Sequence, residues 1–196
     1  MAAVPNRERV LRAATSSFLT DGYRASVDRI ARRAGVAKQT VYSPFPSKDD
    51  LFKEVARELA KRVLVQLETE PDDLRAGLMG FAIAYRSRVL CAEGIAMFRT
   101  LVAEIPRFRS LARAIYQGGP GETSKGLAEY LRKAMAAGRL RRDDPRFAAE
   151  LFMSMLVGMD RIKRLYGVAR FAGSDLRPAN RIVDCFLRVY SLEDRP

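Results

Sequence analysis

Lys38, Gln39 and Thr40, followed closely by Tyr42 and Ser43, are the side chains of this sequence best equipped to read another molecule. A glutamine amide carries a donor and an acceptor side by side, which is what the exposed edge of adenine requires. A lysine or threonine beside it can reach a guanine or the methyl group of thymine. Tyr42, Ser26 and Lys48 are of types that bond backbone phosphates, and such contacts fix register without reading sequence. Val27 and Ser43 complete the expected contact set. Tyr42 and Ser26 also have structural uses, as a lid on a small core and as a helix cap.

The stretch from Ser26 to Phe45 would position these groups. Ser26 is a good N-cap for a helix whose apolar residues Val27, Ile30, Ala31 and Ala34 recur at three- and four-residue spacing and so share one face. Gly35 follows, and a residue just past a helix end commonly takes a left-handed conformation that glycine adopts without steric penalty. The chain can then turn within a few residues into a second short helix over 37–42. Ala31 supplies the small residue where the two helices cross, and Val41 the apolar plug. The pattern is a helix-turn-helix, whose second helix can enter the DNA major groove, about 12 Å wide. A plain helical hairpin would show the same apolar spacing.

Charge favours the first reading. Arg7, Arg9, Arg12, Arg24, Arg29, Arg32, Arg33, Lys38 and Lys48 face only Glu8, Asp21 and Asp28 within residues 1–48, so a quarter of the chain holds half of its net charge of +12. A basic end of this kind is what a phosphate-binding surface needs, although a solvated arginine-rich face looks similar in sequence. The composition argues against an enzyme: histidine is absent from the sequence, and no metal-ligand spacing, glycine-rich phosphate loop or nucleophile setting is recognisable. No catalytic residue, metal or cofactor is expected. Asp143 and Asp144 read as surface charge. The longest uncharged run, 76–85, is far short of the roughly 20 residues a membrane helix needs, and the N-terminal stretch lacks a signal-peptide pattern. A cytoplasmic protein without membrane partners is expected. Cys91 and Cys185 read as small core residues.

Helical periodicity continues throughout, so the expected fold is all-α. A first helix over 7–19 turns Val10, Leu11, Ala14 and Phe18 inward. A long helix begins after Pro46, capped by Ser47 with Asp50 three residues on, and runs to about residue 68 with Leu51, Phe52, Val55, Leu59, Val63 and Leu67 as its stripe. Asp49 and Asp50 blunt the positive field that its first turn, with Lys48, would offer a phosphate. Breaks at Pro71 and Pro106, a loop over 118–121, Pro145 and Pro178 separate further helices over about 72–92, 94–105, to 116, 123–137, 146–166 and 178–190. Large or adaptable apolar residues of the middle helices, Met79, Phe81, Tyr85, Met97, Phe98, Tyr116, Phe152 and Met155, are the expected lining of a small-molecule pocket. The last two helices are apolar over a wide arc, and Leu151, Met155, Met159, Ile162, Ile182, Phe186 and Tyr190 are expected at a four-helix dimer interface.

Residues 7–18, Asp21-Gly22-Tyr23, the helix-turn-helix and 41–52 together resemble the DNA-binding domain of the TetR family of bacterial transcriptional regulators. Residues 98–108, 114–120, 138–140 and 144–145 look like the C-terminal domain of its AefR-like branch. The resemblance implies an all-helical homodimer in two parts: a three-helix domain over 1–50 on double-stranded, palindromic operator DNA, and a 51–196 domain holding an effector, expected to be largely apolar, and the dimer interface. Most members are repressors released by their ligand. Pro44 departs from the family pattern, which carries a polar or aromatic residue there. Proline lacks an N–H and disfavours helical geometry in the residue before it, so the second helix should stop near Tyr42. A helical scaffold with a basic surface is the alternative, separable by gel shift at two salt concentrations.

Overall fold

The computed structural model describes residues 5–68, 73–104, 109–168 and 176–192. Among them the chain forms helices and no strand: α1 (Asn6–Asp21), α2 (Val27–Ala34), α3 (Lys38–Tyr42), α4 (Lys48–Leu64), α5 (Leu74–Leu90), α6 (Ala92–Glu104), α7 (Arg109–Gly118), α8 (Pro120–Ala136), α9 (Pro145–Leu165) and α10 (Arg177–Val189). Short 3-10 turns occupy Gly22–Arg24 and Val65–Leu67. The breaks expected at Pro71 and Pro106, and the resemblance over 105–108, lie outside the described residues. No helix among those described is long and apolar enough to cross a membrane.

Two compact units form, Met1–Leu59 with Ala96–Pro120, and Ala60–Ile95 with Gly121–Pro196. The expected DNA-binding span of 1–50 falls within the first of them. Its core is built as the periodicity requires: Val10, Ala14 and Phe18 of α1 meet Ile30 and Ala31 of α2, Val41 of α3, and Leu51, Phe52 and Val55 of α4, all buried. Phe18 and Phe52 pack edge to face with centroids 4.8 Å apart. Each of the larger of these side chains taken from water contributes about 1.5–3 kcal/mol, which is how an arrangement this small holds together. Met97 and Leu101 of α6 and Ile115 of α7 pack on the same core. At the end of α7 a side chain on Gly118 would collide with the backbone carbonyl of Lys53, so only glycine lets α7 lie this close to α4. Lys53 in turn donates to Gln117 Oε1 at 2.9 Å.

The loop expected over 118–121 is shorter than the composition suggested. Pro120 opens α8, where its fixed φ suits a first helical turn and its missing N–H costs nothing. Only Gly119 separates α7 from α8.

In the second unit an aromatic series runs through the core: Phe81 and Tyr85 of α5 (5.6 Å), Phe152 of α9 (6.2 Å from Phe81), Phe186 of α10 (4.7 Å from Phe152) and Tyr190 (4.7 Å from Phe186). α9 differs from the continuous helix expected. Gly158 has non-helical angles, φ 4° and ψ −114°, which interrupt it. The buried guanidinium of Arg86 serves this break, donating to the Leu156 carbonyl and, at 2.8 Å, to Asp160 Oδ2. An arginine is affordable inside a core only when its charge and donors are met in this way.

Candidate nucleic-acid interface

α2 begins at Ser26, whose Oγ accepts from the Arg29 N–H at 3.2 Å, and it ends at Gly35, in the left-handed conformation with φ 65° and ψ 40°. The N–H groups of Gly35 and Val36 return to the Arg32 and Ala31 carbonyls, both at 3.1 Å, closing the end of α2. Arg9 of α1 donates to the Gly35 carbonyl at 3.0 Å and braces the turn from outside. Gly35→Ala should therefore cost about 1–2 kcal/mol, because an L side chain resists this φ. A lowered thermal midpoint is expected, and an unchanged midpoint would contradict the strain.

The turn delivers α3 with Ala37 as its N-cap and Val41 as its buried anchor, 1% exposed. Lys38, Gln39, Tyr42 and Ser43 are exposed and Thr40 is half-buried, so these five present polar groups to solvent from one short element. Val27 is buried in the core, which leaves only its backbone for any contact. Lys38 is held by Asp28 of α2, at 2.9 Å to Oδ1 and 3.1 Å to Oδ2, and this partner raises its pKa. To touch a base, Lys38 must leave Asp28.

Ser43 corrects one expectation. It keeps helical angles, φ −57° and ψ −54°, and donates to the Gln39 carbonyl at 3.0 Å despite the proline that follows. α3 still ends at Tyr42, because Pro44 has no N–H with which to continue the ladder.

Lys48 opens α4 with its ammonium 4.3 Å from the centroid of the Tyr23 ring, and burial lowers its pKa. Tyr23 donates its hydroxyl to Asp49, and burial together with that carboxylate raises the phenol's pKa well above its ordinary value. Ser47 caps α4 as expected: the Asp50 N–H donates to Ser47 Oγ at 3.0 Å, and that hydroxyl donates to Asp50 Oδ2 at 2.6 Å. Neither Asp28 nor Tyr23 was visible as functional in the sequence. Each lies at least ten residues from its partner and meets it only after the turns fold.

The residues expected to line a pocket divide between the two units. Phe81, Tyr85 and Phe152 belong to the second unit's core, with Met79 and Met155 packed against it, and burial raises the Tyr85 pKa. Met97 packs on the first unit's core and lines a cleft of about 430 Å³ with Leu19, Gly22, Ala96 and Arg99. Phe98 of α6 is half-buried, and Tyr116 of α7 is 61% exposed. Of the residues expected at a dimer interface, Met159 and Ile162 are exposed at 65% and 43%, and Leu151, Met155 and Ile182 are half-buried. Phe186 and Tyr190 are corrected: at 0% and 1% exposure they lie inside their own unit, their rings tilted against each other in the aromatic series, and have no face to offer a partner.

An all-helical chain that presents a polar second helix from a basic helix-turn-helix is a DNA-binding regulator by architecture. The comparisons agree. Residues 10–55 match the model for bacterial regulatory proteins of the TetR family, and residues 76–192 match the C-terminal domain of AefR-like transcriptional repressors. A TetR-family regulator from Mesorhizobium loti MAFF303099 is 28% identical, with 95% of this chain and 97% of that one covered at a TM-score of 0.77. The flavonoid-responsive regulator FrrA is 30% identical over 96% of this chain and 98% of its own, with a TM-score of 0.70. The HTH-type transcriptional regulator YhgD of Bacillus subtilis (strain 168) is 37% identical over 62 residues, 31% of this chain, and the match spans only 32% of that relative's length. The chain belongs to the TetR family of bacterial transcriptional regulators, with an AefR-like C-terminal domain, and is a DNA-binding transcriptional regulator.

Proposed function

We propose that this regulator is a cytoplasmic repressor that binds a palindromic operator as a homodimer and leaves it when a largely apolar small molecule occupies the C-terminal domain. Residues 1–50 would hold the DNA and 51–196 the effector and the second copy. The observation that carries the reading is α3: Val41 pins it to the core while Lys38, Gln39 and Tyr42 stand exposed. In this assignment Gln39 reads a base, with Lys38 or Thr40 beside it. Ser26, Tyr42, Ser43, Lys48 and the Val27 backbone hold phosphates.

Gln39→Ala is expected to cost about 1–3 kcal/mol on the operator and little on random duplex. Lys48→Ala should weaken both alike and lower the slope of affinity against salt by about one. Fluorescence anisotropy on both DNAs at several salt concentrations separates the two roles. Equal losses on operator and random DNA for Gln39→Ala, or an unchanged salt slope for Lys48→Ala, would remove the assignment.

For the effector, support comes from the apolar and aromatic residues Phe81, Tyr85, Phe152 and Met155 in the second unit, and from a relative 30% identical over 96% of the chain that is flavonoid-responsive. Only a ligand that binds better to the released arrangement can drive release. A flavonoid panel added to the operator complex is the first assay, and unchanged operator affinity at saturating bound ligand would exclude release.

A further inference from the structure

Lys48 is preceded in the sequence by a serine and followed by two aspartates, an unpromising setting for a cation that must face phosphate. In water a carboxylate one residue away would compete for the ammonium and repel the DNA at the same time. Lys38, in the same unit, shows what such pairing does to a lysine: Asp28 grips it through both oxygens. Lys48 is treated differently. Asp49 instead receives the Tyr23 hydroxyl, and Asp50 receives the Ser47 hydroxyl at 2.6 Å. The ammonium of Lys48 then rests on the face of the Tyr23 ring, 4.3 Å from its centroid, where the ring's quadrupole attracts it without cancelling its charge. Tyr23 can do both because Phe52, buried in the core, packs against its ring at 5.6 Å and orients it.

We propose that Tyr23 is a positioning residue for DNA binding: its ring seats Lys48 toward the phosphate while its hydroxyl holds Asp49 by a hydrogen bond, so that the carboxylate acts on the lysine through space without pairing with it and is less available to oppose the DNA. This rests on Lys48 being a phosphate contact. Phenylalanine at position 23 would keep the ring against Phe52 and Lys48 but free Asp49. Asparagine at position 49 would remove the charge that the hydroxyl exists to occupy.

The test is a double-mutant cycle on binding to a random-sequence duplex, read by fluorescence anisotropy at about 0.1 M salt. Tyr23→Phe is expected to weaken binding about three- to tenfold, the size of one partly screened like-charge contact. In the Asp49→Asn background the same change should have no effect, because no carboxylate remains to be freed. Equal losses in both backgrounds would overturn the proposal, as would no loss from Tyr23→Phe alone, since either result leaves the hydroxyl with no role through Asp49. Lys48→Ala, run alongside, separates the two levels. If it changes neither affinity nor salt slope, the phosphate reading of Lys48 fails. If it weakens binding while the cycle shows no coupling, only the role of Tyr23 fails. Far-UV circular dichroism and the thermal midpoint of each variant confirm that folded protein is compared throughout.

Discussion

Phe186→Ala is expected to destabilise the C-terminal unit by about 3–5 kcal/mol, because it removes a fully buried ring and leaves a cavity that neighbours fixed by their own packing cannot fill. Phe152 and Tyr190 flank the ring, each with its centroid 4.7 Å away, so the substitution also deletes two aromatic contacts. Chemical denaturation followed by helical signal measures the loss as a lower midpoint at unchanged slope. The outcome separates two uses of α10. Were Phe186 an interface residue, as its sequence pattern suggested, alanine would shift the monomer–dimer balance and leave the fold of each copy intact.

The opposite signature is expected for Met159→Glu combined with Ile162→Glu. Both side chains are exposed on α9, where Tyr166 continues the stripe at 80% exposure. Spacings of three and four residues put them on one face, and an exposed apolar stripe is a partner surface more often than a solvated one. In the proposed dimer, two carboxylates here would face apolar surface and each other, and association should fail while the monomer keeps its stability. Operator affinity should then fall by a factor on the order of 100 or more, since two tethered half-site contacts become one. Sedimentation equilibrium at micromolar protein reads the first effect and anisotropy the second. A persistent dimer would show that this face is not the interface.

What could be read from the chain itself was local. Ser26, Gly35, Ala31 and Val41 each do what their types and spacing require, because capping, a left-handed turn and a tight crossing depend on neighbours a few residues away. The family pattern across α1 to α4 was legible for the same reason. What escaped depends on distant partners. Nothing around Asp28 points ten residues ahead to Lys38, and Tyr23 meets Asp49 only once α4 is docked. The interruption at Gly158 was hidden because a lone glycine between apolar residues is compatible with an unbroken helix, and its complement, Arg86, lies 72 positions earlier. Phe186 and Tyr190 were misplaced because a helix apolar over a wide arc does not say which side faces its own core. The first turn of α8 resembles a loop in sequence because glycine and proline cluster there, although proline is suited to a helix start.

The brevity of α3 has one more consequence. Five residues rising about 1.5 Å each extend about 7.5 Å, little more than two base pairs at ~3.4 Å apiece. In the proposed dimer, two such helices, each reading two or three pairs, specify about 8–12 bits of sequence, whereas singling out one address among ~10⁶ competing positions takes about 20 bits. Direct reading by such a pair therefore falls short by about half. The missing information has to reside in the DNA between and around the half-sites, in their separation and in how readily that sequence bends or narrows. Operators of this regulator should accordingly tolerate changes at the positions α3 faces better than insertion of a single base pair at the centre.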